Sequence, residues 1–162
     1  MSVLRILASV VAVATVTQTA VLKAETQESV YDCRYVGAPT LEPLGDREGH
    51  GLRIVDYSCV VTAGPLSGGV FTARNIYEVD KSGGTLLTGE GVYRKPGAMA
   101  VLQATDGKVE YVMSDGKMIA ATVTGHSRFV MAVGSWAALS GKATVYSTKP
   151  TATGFSIEGK FE

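Results

Sequence analysis

Residues Ala98 to Thr124 read AMAVLQATDGKVEYVMSDGKMIAATVT. Two Asp-Gly dipeptides, Asp106-Gly107 and Asp115-Gly116, divide runs rich in Val, Thr, Tyr and Met. Asp-Gly suits the type I′ turn, which needs positive φ at both central residues and reverses the chain in two residues. The stretch therefore predicts a three-stranded antiparallel meander. Working outward, the same texture continues. Coarse strands fall at Ser29–Val36, Leu52–Ala63, Val70–Val79, Thr85–Arg94, Ala98–Thr105, Lys108–Ser114, Lys117–Thr124, Arg128–Val133, Ala143–Thr148 and Gly154–Phe161. Asp80-Lys81-Ser82-Gly83-Gly84 and Lys149-Pro150-Thr151-Ala152-Thr153 read as further hairpin connections. After residue 25 no long window shows apolar residues at three-four spacing, the mark of an amphipathic helix. Only a short helical turn near Trp136–Leu139 is expected. Connections this short cannot hold crossover helices, so parallel pairing is not expected.

A run of hairpins must hide its edges, and closing the sheet on itself does so. The fold class expected is all-β: a single antiparallel up-and-down β-barrel of about eight to ten strands, with a β-sandwich as the alternative. Alternation assigns the faces. Phe71, Ala73, Tyr77 and Val79 share one side of their strand, interrupted by Asn75, and Leu87, Gly89, Gly91 and Tyr93 share one side of the next. The aromatic sides are assigned to the interior. Gly89 and Gly91 then either leave space for a ligand or let the strand bend sharply.

The N-terminus is of another kind. Residues 1–24 contain no Gly, Pro or acidic residue, and 16 of them are apolar. Arg5 precedes an apolar run from Ile6 to Val16, and a polar end leads to Ala24. This is the layout of a secretory signal peptide, too short for a comfortable bilayer span. The expected organisation is a signal peptide at 1–24, one barrel domain at 25–162 and a periplasmic or secreted product with no transmembrane span once cleaved. Loss of Arg5 and Lys23 leaves 13 basic against 15 acidic side chains. That balance does not suit a general nucleic-acid binder, which clusters Lys and Arg. Export also decides the cysteines. Cys33 and Cys59 would meet an oxidising compartment, so a disulfide is expected, worth about 3–3.5 kcal/mol in the chain-entropy view.

Near the C-terminus the chain reads GSWAALSGKATVY (Gly134 to Tyr146) and TGFSIEGKFE (Thr153 to Glu162). A Gly, a short apolar-aromatic segment, a second Gly, a strand, a turn and a closing strand follow in order. This resembles the closing hairpin of bacterial exported barrels similar to allene oxide cyclase and dirigent proteins, within the wider calycin-like shape. GEGVYRKPG (Gly89 to Gly97) fits an inner strand of that shape. The resemblance implies a barrel, and in some members guided cyclisation of a reactive small molecule. It carries no catalytic residue over to this chain.

Candidate chemistry is sparse. In GDREGHG (Gly45 to Gly51), Asp46, Glu48 and His50 alternate. An extended segment would point all three one way, as metal ligands or an acid–base pair. A solvated Gly-rich loop is the plainer reading, and no metal is expected. Arg74 and Glu90 align across the predicted hairpin if Val79 pairs with Thr85. On the outer face they are an exposed pair worth below about 1 kcal/mol. With the faces inverted they would line a polar lumen. Tyr31, Tyr35 and Tyr57 share parity with the two cysteines and offer either core or a stacking wall for a flat ligand. Met99, Met113, Met118 and Met131 read as gap-filling core.

The function expected is a small-molecule-binding barrel for an apolar or amphipathic ligand, with no cofactor and with Tyr35, Tyr57, Arg74, Glu90 and His50 as candidate contacts. A cyclase or isomerase acting on a small hydrophobic substrate, and an envelope interaction module without a ligand, are the alternatives. A cavity separates the first two from the third. A buried Arg74 or Glu90 facing it would favour the enzyme.

Overall fold

The computed structural model describes residues 28–162. The expected signal peptide at 1–24 lies outside the described residues. Ten strands follow in order: β1 (Glu28–Tyr35), β2 (Thr40–Pro43), β3 (Gly51–Ala63), β4 (Val70–Asp80), β5 (Gly83–Lys95), β6 (Ala98–Ala104), β7 (Lys108–Ser114), β8 (Lys117–Gly134), β9 (Ala143–Thr151) and β10 (Gly154–Phe161). All pairings are antiparallel. The order runs β1-β10-β9-β8-β6-β5-β4-β3, and β1 pairs with β3 to close an eight-stranded barrel. Closure leaves no free edge on that path. Two further strands complete the sheet: β2 lies outside on β3, and β7 pairs with β5 on one side and β8 on the other.

The two Asp-Gly dipeptides behave differently. Asp115 has φ 50° and Gly116 φ 73°, and Ser114 pairs with Lys117 around them. That is the expected two-residue reversal. Asp106-Gly107 makes no reversal, so the three-stranded meander is corrected. β6 runs against Ser127–Gly134 of β8, and β7 continues along the same row against Lys117–Thr124. β6 and β7 are one interrupted strand, and β8 is a single strand where two were expected. The interruption is held by side chains instead of a turn. The His126 main-chain N–H donates to Asp106 Oδ1 at 3.0 Å, and the Tyr146 hydroxyl donates to the Asp106 carbonyl at 3.2 Å.

The β4–β5 hairpin holds a second correction. Val79 pairs with Gly84, not Thr85, and the loop is only Lys81-Ser82. A β-bulge at Leu87 then restores the expected register, so Arg74 does lie opposite Glu90. A bulge adds one residue on one strand and moves its neighbours to the other face. Hence Leu87 is exposed and Leu86 packs against the core, the reverse of the alternation drawn from sequence.

Apart from Leu87, the inward rows are as assigned. Phe71, Asn75, Tyr77, Val79 and Tyr93 are buried. Cys33 and Cys59 pair directly across β1 and β3 and form the disulfide inside this core. The lower half of the barrel is solid. Phe71 and Tyr93 stack at 4.1 Å, and Phe129 and Phe161 at 5.7 Å. Leu66 from the β3–β4 loop and Trp136, next to a 3₁₀ turn at Ala137–Leu139, close that end. The four methionines are another correction: Met99, Met113, Met118 and Met131 are all exposed. Their strands carry them on outward or hairpin-tip positions, where parity outranks hydrophobicity.

Candidate functional site

The upper half of the barrel holds a cavity, with about 100 Å³ open to the centre of a water molecule. A water needs only about 10–15 Å³ on that measure, so the space admits a small organic molecule. Its origin is local sequence. Ala73, Gly89, Ala104 and Ala121 all face it from neighbouring strands and fill little volume. A side chain at Gly89 would meet Asn75 Oδ1 at 2.5 Å, and one at Gly91 would strike Phe71 at 2.3 Å. Gly91 therefore makes room for the aromatic stack below, and Gly89 for the polar group above. Tyr31, Phe71 and Tyr93 form the floor.

The walls combine aromatic faces with hydroxyl tips. Tyr57 and Phe155 meet edge to face at 5.3 Å, and Tyr35 and Phe155 lie 5.1 Å apart. Asn75 Nδ2 donates to the Tyr77 hydroxyl at 2.7 Å and reaches the Tyr57 hydroxyl at 3.5 Å. Accepting from Asn75 leaves both phenols their own protons to donate. Burial pushes Tyr57, Tyr77 and Tyr146 above the ordinary phenol value, because the phenolate would lose its hydration. All three are hydrogen-bond donors at neutral pH. The Ser127 and Thr144 hydroxyls bond each other at 2.7 Å in the same lining.

The candidates from sequence divide. Tyr57, 8% exposed, is a wall of the cavity, and Tyr35, 43% exposed, stands at its mouth. Arg74 and Glu90 sit on the outer face and are exposed. Glu90 borders the cavity only along the strand between Gly89 and Gly91. Arg74 is not held by Glu90. It grips Asp56 on β3, with Nε to Oδ1 at 2.7 Å and Nη2 to Oδ2 at 2.8 Å. That fork lowers the Asp56 carboxyl below its ordinary range through hydrogen bonding to the guanidinium.

His50 is outside the cavity, 7% exposed, and clamped on both sides. With the ring charged, Nδ1–H donates to Asp46 and Nε2–H to Glu78 Oε1 at 2.7 Å. These two hydrogen bonds raise the His50 pKa, Asp46 contributing most. Glu48 turns away to Lys81 Nζ at 2.6 Å. The alternating Asp46, Glu48 and His50 thus do not converge. Among the described residues no three His, Cys, Asp or Glu side chains are grouped to hold a metal ion. His126 belongs to a separate pair with Asp106, at 2.9 Å.

Sequence reasoning passed over Arg53, Asn75 as a polar contact, Tyr77 and Tyr146. The signal for Arg53 was present: it shares parity with Val55 and Tyr57 on β3, hence an inward row. Asn75 was legible as the polar interruption of an inward aromatic row. No family model matches the chain, and neither curated proteins nor solved structures yield a match.

Proposed function

We propose that this protein is an exported barrel that binds a small apolar or amphipathic molecule in its upper half. The observation that carries the reading is the cavity: aromatic walls, a few convergent hydroxyl and amide groups, and a solid floor. Ligand sites are commonly concave, mostly apolar and supplied with a small number of placed polar groups. A cavity favours a ligand over a purely structural envelope role. The binder is favoured over the cyclase or isomerase because that chemistry asked for Arg74 or Glu90 inside, and both stand on the outer face. The phenols that do face the cavity are held protonated, which suits donation and not proton abstraction.

A periplasmic or secreted location is part of the same proposal. The signal-like sequence at 1–24 and the disulfide Cys33–Cys59 support it, since disulfides persist in oxidising compartments. The closed barrel is the shape that a resemblance to allene oxide cyclase-like and dirigent-like barrels implies, and shape alone transfers no activity.

Native mass spectrometry of the protein purified from its own host tests the reading. The expected result is a mass excess of one small molecule that a cavity-filling G89V variant does not carry. A bare chain in both cases, joined to no stabilisation of the purified protein by any small aromatic or aliphatic compound, would contradict it.

A further inference from the structure

Six arginines lie within the described residues, and five are tied. Arg34 meets Asp32, Arg47 meets Asp46 and Asp80, and Arg74 meets Asp56. Arg94 donates to the Thr72 hydroxyl and Arg128 to the Gly141 carbonyl. Arg53 alone has no ion-pair or side-chain hydrogen-bond partner among the described residues, although it is half-buried. It sits on the inward row of β3, opposite Tyr77. It borders both the inner cavity and an outer apolar groove between β2 and the β7–β8 hairpin, lined by Leu41, Tyr111, Met113 and Met118. Asp80 and Lys81 in that groove offset each other in charge.

We infer that the cavity takes a small aromatic monoanion, with its ring between Tyr57, Tyr77 and Phe155 and its carboxylate on the Arg53 guanidinium at the mouth. The inference rests on the reading that the cavity holds a ligand, and names what kind. Three further observations support it. The cavity lining turns no acidic side chain inward, so the fixed charge facing an occupant is positive. The Tyr57 and Tyr77 hydroxyls, already accepting from Asn75, add donors and suit an oxygen-rich group. The space is ring-sized and its walls are rings, which disfavours a long aliphatic tail. A guanidinium binds a carboxylate through two parallel N–H···O bonds, a geometry that Lys or an amide cannot reproduce. The closeness of the charge is also felt at Tyr77, where Arg53 acts against the upward push of burial on the phenol.

The test is calorimetric titration of the disulfide-intact protein with an isosteric pair, 4-methylbenzoate and 4-methylbenzamide, on the native chain, R53Q and R53K. The native protein is expected to prefer the benzoate by about tenfold, in line with a charge-assisted bidentate contact. R53Q is expected to lose that preference while holding the benzamide within about threefold, and R53K to recover part of it. Raised salt should erode the preference in the native protein and in R53K, and leave R53Q unmoved. Equal binding of the two probes to the native protein would overturn the anion and leave the cavity reading standing. Equal loss of both probes in R53Q would also overturn it, making Arg53 a wall and not an anchor. Binding of neither probe would overturn the cavity reading and this inference together. Should R53Q fail to fold, by circular dichroism, the native preference and R53K decide.

Discussion

The two halves of the barrel are built by one alternation and do opposite things. In the lower half large rings fill the space that small inward residues leave: Phe71 enters the space at Gly91, Phe129 stacks on Phe161, and Trp136 closes against Gly69. In the upper half the inward row turns small at Ala73, Gly89, Ala104 and Ala121, while its large residues carry hydroxyls. A barrel of eight strands has an interior that side chains can just fill, so a handful of small residues decides between plug and pocket. Polar tips then keep the pocket from collapsing, because Asn75 and the tyrosine hydroxyls must keep partners or water.

Substitutions should separate the halves. F129A should cost about 3–5 kcal/mol, since the site is 1% exposed and packed against two rings. Urea unfolding measures it, and binding of 4-methylbenzoate well below the midpoint should be unchanged. Replacing both Cys33 and Cys59 by Ser should cost about 3 kcal/mol by the same assay, because the bridge closes a 26-residue separation. Next come the two glycines. G91A drives a methyl into the Phe71 ring and should cost about 1–3 kcal/mol. G89A meets the Asn75 amide oxygen instead, so it should cost less in stability and more in probe affinity. The contrast between G91A and G89A, read by unfolding and by calorimetry side by side, is the sharper comparison.

The pH response falls outside both halves, on the clamp at the mouth-side loop. His50 has a folded pKa above its unfolded value, held there by Asp46 and Glu78. The stabilisation is therefore complete below the unfolded histidine value, about 6.5, and is lost as pH rises through the higher folded value. His126, raised by Asp106, acts in the same sense. Urea midpoints should fall between pH 6 and pH 9 in the native protein and fall less in H50N. The smallest effect is expected from R74M, below about 1 kcal/mol, as the Arg74–Asp56 fork is exposed.

Much of the fold was legible because alternation and turn residues are local signals. The inward row of β4 and the reversal at Asp115-Gly116 follow from them, and the bridge between β1 and β3 from the cysteine count and the export reading. What was not legible depended on partners elsewhere. Asp106-Gly107 carries the same dipeptide as the true turn, but Tyr146 and His126 from other strands hold it as a break in a straight row. The bulge at Leu87 needs the tight two-residue loop at Lys81-Ser82 to make sense, and strict parity with Tyr93 put Leu87 inside. The methionines misled by composition alone. For the site, Tyr57 and Tyr35 followed from parity with the cysteines; Arg53 shares the parity of Val55 and Tyr57, but only the register shows that it stands opposite Tyr77.

The central claim is that one half of the interior is open and the other is not. Methyl-resolved NMR during titration with 4-methylphenol tests it most directly. Val55, Val123 and Ala121 line the cavity, while Val61, Ala100 and Leu139 are buried away from it. Saturable shifts are predicted for the first three, with the second three unmoved. Shifts confined to surface methyls such as Val133 and Met131, or no saturable shift at all, would contradict the account.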